Sequence, residues 1–136
     1  MKKLPTSGNS LLIRTDFSDD AAWVALCEGV QAPSEEGFEA RLECISDPAY
    51  EGLTIEQLVK LASEDSGHLF AFLADRTALL GPERAVLVVD LNDEPGRTFR
   101  VIPRAMWSVE NNLSLSNLDY DDFAGNLDAD GIFRGF

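Results

Sequence analysis

The sequence predicts an α/β (or α+β) fold, a mixed β-sheet of about five strands with helices packed on it. Three observations predict it. In the first half, short apolar segments alternate with segments of helical period. In the middle, two nearly continuous apolar runs, HLFAFLA (68–74) and AVLVVDL (85–91), have the character of central strands covered on both faces. The second run then passes through a turn-rich stretch into another strand-like segment. A length of 136 residues fits one domain, and 45% hydrophobic with 26% charged residues is an ordinary globular composition. Residues 1–9 read as an N-terminal arm and 10–136 as a single globular domain. The expected element order is β-α-β-α-β-β-β-α-α.

Each element has a local reason. Residues 11–15 (LLIRT) make a short apolar strand. Ser18 is placed as a helix N-cap, with Asp19 and Asp20 in the electropositive first turn. Trp23, Leu26, Cys27 and Val30 follow at i, i+3, i+4 and i+7, one face of that helix. Residues 31–37 are a polar loop. Phe38, Ala40, Leu42 and Cys44 then alternate with Glu39, Arg41 and Glu43, the period of an edge or antiparallel strand with one wet face. Thr54 and Gln57 form a capping box for a helix reaching about Ser63. Between the two apolar runs, residues 75–84 leave room for one helical turn. That is short for a parallel crossover, which needs about a dozen residues. Residues 92–96 turn the chain into a strand over 97–102, the best hairpin in the sequence. Pro103 stands near the start of a helix over 104–113, and a short helix covers 120–127. The tail, 128–136, carries Phe133 and Phe136 and is expected to dock on the body.

Charge is the unusual quantity. There are 24 acidic against 11 basic residues, a net of −13. Such a chain repels phosphates, so no nucleic acid and no membrane are expected as partners. The acidity favours solubility, or a face that meets a basic protein. The excess is uneven: residues 1–68 and 109–136 are strongly acidic, and 69–108 are neutral in sum. Two widely spaced cysteines, no secretory leader and no apolar run of membrane length point to a cytoplasmic protein with buried thiols.

Three constellations bear on chemistry. Asp16, Asp75 and Asp90 each close a strand; on parallel strands they would share the carboxyl edge and present oxygen ligands to Mg²⁺. No other cofactor is expected. The stretch 107–117 sets Trp107 beside Glu110, Asn111, Asn112 and Asn117, polar groups able to orient a small ligand or a partner's backbone. Arg97 and Arg100 precede it and suit an anion, although strand alternation sends them to opposite faces. Helix capping and turn closure explain many of these residues equally well. His68, the single histidine, opens an apolar run and reads as structural. No Gly-x-Ser-x-Gly elbow or phosphate-binding glycine loop is present. Asn126, Asp128 and Asp130 imitate the start of an EF-hand loop, but the sequence ends before its twelfth position; Asp130-Gly131 is better read as a turn.

Several segments are familiar together: Leu12-Ile13-Arg14-Thr15-Asp16-Phe17, Val88-Val89-Asp90-Leu91, Glu94-Pro95-Gly96-Arg97-Thr98-Phe99, Trp107-Ser108-Val109-Glu110-Asn111-Asn112, and Gly131-Ile132-Phe133-Arg134-Gly135-Phe136. They resemble a family of small, mainly actinobacterial proteins known as a domain of unknown function. The resemblance implies a stand-alone bacterial domain and assigns no catalytic residue. The functional expectation is a non-enzymatic, acidic binding or interaction protein, immunity- or antitoxin-like against a basic partner. The alternatives are a Mg²⁺-dependent phosphate-ester enzyme using the three aspartates, and a homodimeric structural component (a homo-oligomer) joined through the strand at 38–44.

Overall fold

Two βα units open the chain. The computed structural model describes residues 2–64 and 67–136, so Met1 of the expected arm lies outside the described residues. Strand β1 (Ser10–Arg14) leads through α1 (Asp20–Gln31) to β2 (Leu42–Ile45), and β2 through α2 (Ile55–Ser63) to β3 (Phe70–Ala74). Strand β1 lies between β2 and β3 and is parallel to both. The two helices cover opposite faces. Trp23, Leu26 and Val30 of α1 share a core with Leu12, whereas Leu58 and Leu61 of α2 share one with Leu11 and Ile13. All five residues of β1 are buried, and so are all five of β3. This double covering is why both read as continuous apolar runs.

After β3 the sheet reverses. Asp75 caps α3 (Arg76–Leu80), and β4 (Val86–Asp90) returns antiparallel to β3. A five-residue helix is too short to carry the chain back for a parallel strand. Strand β5 (Thr98–Val101) completes the hairpin with β4. Gly96, at φ +96, supplies the left-handed backbone that this turn requires. The chain then enters α4 (Met106–Ser114) through a 3-10 turn at Pro103–Ala105, continues through α5 (Tyr120–Ala124) and ends in β6 (Ile132–Phe133), parallel to β5. The fold is thus an α/β single domain: among the described residues, a mixed six-stranded sheet in the order β2-β1-β3-β4-β5-β6, with five α-helices. The expected order lacks α3 and β6, both too short to show a period.

Two local expectations are corrected, the N-cap of α1 and the start and sense of β2. The N-cap of α1 is Asp19, whose carboxylate accepts the Ala22 N–H at 2.9 Å. Ser18 is instead drawn back onto the Asp16 carboxylate by its own N–H and hydroxyl. Strand β2 is a parallel edge strand and begins only at Leu42. Residues 38–41 leave the sheet because α4 holds them, as described below. The arm is docked: Leu4 is buried, and Tyr50 and His68 hydrogen-bond the Lys3 and Pro5 carbonyls. The arm's Leu4 belongs to the α2-side core, whereas Cys27 and Cys44 pack on the α1 side.

The alternation of strand sense also sorts charge. Call the end where β1, β2 and β3 finish the carboxyl edge. Arg14, Arg76, Arg84, Arg100, Arg104 and Arg134 all attach at or just beyond the strand ends on that side. At the opposite, amino edge, the β4–β5 turn brings Asp90, Asp93 and Glu94 to the acids of α5, and Arg97 is the cation among them. The middle third is neutral in sum, yet its charges separate unevenly: four of its arginines lie at the carboxyl edge with Asp75 and Glu83, and Asp90, Asp93 and Glu94 lie at the amino edge with Arg97.

Candidate functional site

The aspartate cluster does not form. Asp16 and Asp75 end β1 and β3 at the carboxyl edge. Asp90 ends the antiparallel β4 and stands opposite Phe70, the first residue of β3, at the amino edge. A strand length therefore separates it from the other two. Each carboxylate is also committed. Asp16 accepts from Ser18, which with the Ser18 N–H holds its pKa below the usual carboxylate value. Asp75 caps α3 and takes a bidentate grip from Arg100, at 2.6 and 3.0 Å. Among the described residues, no group of three or more His, Cys, Asp or Glu side chains is arranged to hold a metal ion.

The polar cluster on α4 is assembled, but it grips its own chain. Glu110 is 2% exposed and accepts the Ser10 hydroxyl (2.8 Å) and the Arg41 N–H (2.7 Å). Asn111 donates to the Glu39 carbonyl at 2.9 Å. Trp107 stacks on Phe38, with ring centroids 5.0 Å apart. These three residues orient an extended backbone, that of residues 38–41, and so fix the entry to β2. Asn112 donates to the Ser108 carbonyl within α4. Asn117 contributes its backbone: its N–H closes α4 on the Asn112 carbonyl (3.0 Å), and the Ser116 N–H closes on Leu113 (3.3 Å). This is a Schellman closure with serine, φ +56, where glycine is usual. Ser116→Gly is expected to raise stability by about 0.5–1 kcal/mol, measured by urea unfolding, because a side chain in the left-handed region costs more than the extra freedom of glycine.

Arg97 and Arg100 part company. Arg100 reaches the carboxyl edge. Arg97 lies at the amino edge, where it binds Asp90 (3.1 Å), Glu94 (3.2 Å) and Asp121 and lies 4.3 Å over the Tyr120 ring. Asp90 is 3% exposed. Burial alone would raise its pKa. The N–H groups of Asn92, Glu94 and Asp93 and the Arg97 guanidinium outweigh burial and hold it below the usual value. Tyr120 donates its hydroxyl to the Arg97 carbonyl (2.9 Å), and burial pushes its phenol up.

Beside this hub is a cleft of about 320 Å³. Leu69, Phe70 and Tyr120 give it apolar walls, and Asp90, Asp93 and Asp119 make its polar side acidic. The connector between α4 and α5 closes one flank. Leu69 and Leu115 stand exposed nearby, the first lining the cleft and the second on the connector. Leu69, Phe70, Asp93 and Tyr120 belong to no motif, and Asp119 only to the capping box of α5. Their meeting depends on β4 being antiparallel, which summing charge along the chain conceals.

Fold and cleft define a small α/β domain: a βαβαβ half joined to an antiparallel hairpin, with an acidic concavity at the amino edge of the sheet. The chain belongs to the family described as a domain of unknown function (DUF6924), whose model matches residues 9–136. The match begins at the last residue of the arm. No curated protein matches the sequence. No helix among the described residues is long and apolar enough to cross a membrane.

Proposed function

We propose that this chain is a non-enzymatic binding module whose amino-edge cleft receives a basic side chain of a protein partner. The observation that carries the reading is the cleft itself. Asp93 and Asp119 are exposed at its mouth, and the apolar walls suit the methylene stem of a lysine or arginine. Asp90 is occupied by its own donors and serves as a fixed negative wall. Four acids (Asp90, Asp93, Glu94 and Asp121) pair with the Arg97 guanidinium, Asp119 caps the adjoining α5 and Asp122 stands in its first turn, an excess of negative charge that draws cationic surfaces. In biological terms the module is an immunity- or antitoxin-like partner of a basic protein, in the cytoplasm of a bacterium, with actinobacteria as its main setting.

A fluorescent lysine- and arginine-rich peptide tests this. Its affinity is expected to fall about tenfold or more between roughly 0.05 M and 0.3 M salt, as the Debye length shortens. Asp93→Asn with Asp119→Asn should weaken binding several-fold, while Glu35→Gln with Glu36→Gln, in the exposed loop before β2, should leave it unchanged. Salt-independent binding, or equal losses from the two double variants, would sink the reading.

A further inference from the structure

The cysteines, 17 positions apart in sequence, are neighbours in the fold. Cys44 of β2 pairs in register with Leu12 of β1 and packs toward α1, on whose inner face Cys27 lies one turn beyond Trp23. The two thiols lie close enough that each shifts the ionisation of the other. Gln31, one turn further along α1, donates a hydrogen bond to the Cys44 sulfur at 3.3 Å. Both thiols are partly exposed, and β2 is the edge strand of the sheet. The Gln31 amide on one sulfur makes the pair asymmetric: Cys44 has a donor that stabilises its thiolate, and Cys27 lies one turn from that donor, packed against the same core.

We propose that Cys27 and Cys44 form a reversible oxidation site, in which Cys44 is the attacking thiol and Cys27 the resolving one. The oxidant is a low-molecular-weight disulfide of the glutathione type. The Cys44 thiolate attacks one of its sulfurs. The reagent's S–S bond breaks, and one thiol leaves, taking up the proton that Cys44 lost. Cys27 then gives up its proton and attacks the Cys44 sulfur of the mixed disulfide, expelling the second thiol. Two protein thiols are oxidised to one disulfide, and the reagent disulfide is reduced to two thiols. The closeness of the two thiols accounts for the direction of the shifts. Interaction with Cys44, and then burial, pushes the Cys27 thiol up, and the same interaction lowers Cys44. The bond would tie α1 to β2 and close the loop that carries Phe38, Glu39 and Arg41 to their partners on α4.

The test uses the full chain, reduced, then exposed to glutathione disulfide in its native state. The expected product is a monomer lighter by two hydrogens, with one proteolytic fragment linking residues 27 and 44, and it reverts on addition of dithiothreitol. Its melting temperature should rise by about 5–10 °C. Cys27→Ser should accumulate a stable mixed disulfide on Cys44, and Cys44→Ser should react at Cys27 at least about fivefold more slowly. Separate mixed disulfides on the two thiols of the wild-type chain overturn the proposal. So does a disulfide-linked dimer, or reaction that occurs only after unfolding. The wild-type mapping decides even if a serine variant fails to fold.

Discussion

Asp90→Ala is expected to cost about 3–5 kcal/mol of folding stability, read as a lower urea midpoint at an unchanged slope. The Asp90 carboxylate is the centre around which the β4–β5 turn is built. It accepts the N–H groups of Asn92, Asp93 and Glu94 and pairs with Arg97. Without it, three turn donors lose their acceptor, and Arg97, 23% exposed, keeps only solvent-exposed partners, Asp93, Glu94 and Asp121. Asp90→Asn should recover part of the loss, because an amide oxygen still accepts from the turn. A loss below about 1 kcal/mol for the alanine variant would show that the turn closes without its carboxylate.

The same carboxylate gives stability a dependence on pH whose sign follows from the depressed pKa. Above the ordinary carboxylate value, near about 4, folded and unfolded chains are both ionised and the stabilisation is complete. As pH falls through that value, the unfolded chain takes up protons first, and the stabilisation drains away until the folded pKa is passed. Asp16, Asp47, Glu83 and Asp128 are held down as well, by Ser18, Lys2, Arg134 and Arg134 respectively. Melting temperature should therefore be flat above about pH 5 and fall below about pH 4, less steeply in Asp90→Asn than in the wild type.

What the sequence made legible is what short-range chemistry decides. The α1 face, the Thr54–Gln57 box and the β4–β5 hairpin all appear in the structure, because each depends on residues within a turn or two of one another. The aspartate cluster failed for the opposite reason. It required a strand direction, and direction is set by the length and path of a connection that carries no motif of its own. The shortness of residues 75–84 was the only clue, and it pointed to the antiparallel answer. The polar residues of α4 were recognised as a group able to orient a backbone. That the backbone was their own chain's, some 70 residues earlier, had no local signal. The thiol pair was hidden in the same way: Cys27 has helical period and Cys44 strand period, and only the packing of α1 on β2 joins them.

The tail shows how few residues can decide a long-range pairing. Strand β6 has two residues, yet Phe133 is fully buried. Its ring meets Phe123 edge-on at 5.0 Å and Phe136 at 4.9 Å, and Phe123 stacks in turn on Phe99 of β5. The Ile132 N–H is held by Asp128, and Arg134 is tied to Asp128 and Glu83, so the strand is clamped on both sides of the buried ring. Phe133→Ala is therefore expected to cost about 3–5 kcal/mol, as large core truncations do. Phe136→Ala should cost far less, because Phe136 is 73% exposed despite its contacts. Hydrogen exchange separates two ways in which the loss could occur. If the tail frays alone, protection should vanish at Ile132 and Phe133 and persist in β4. If α5 is released with it, the Tyr120 hydroxyl leaves the Arg97 carbonyl and the acidic cleft opens on that flank. The second outcome is the one expected, because Phe123 joins α5, β5 and β6 in a single ring cluster.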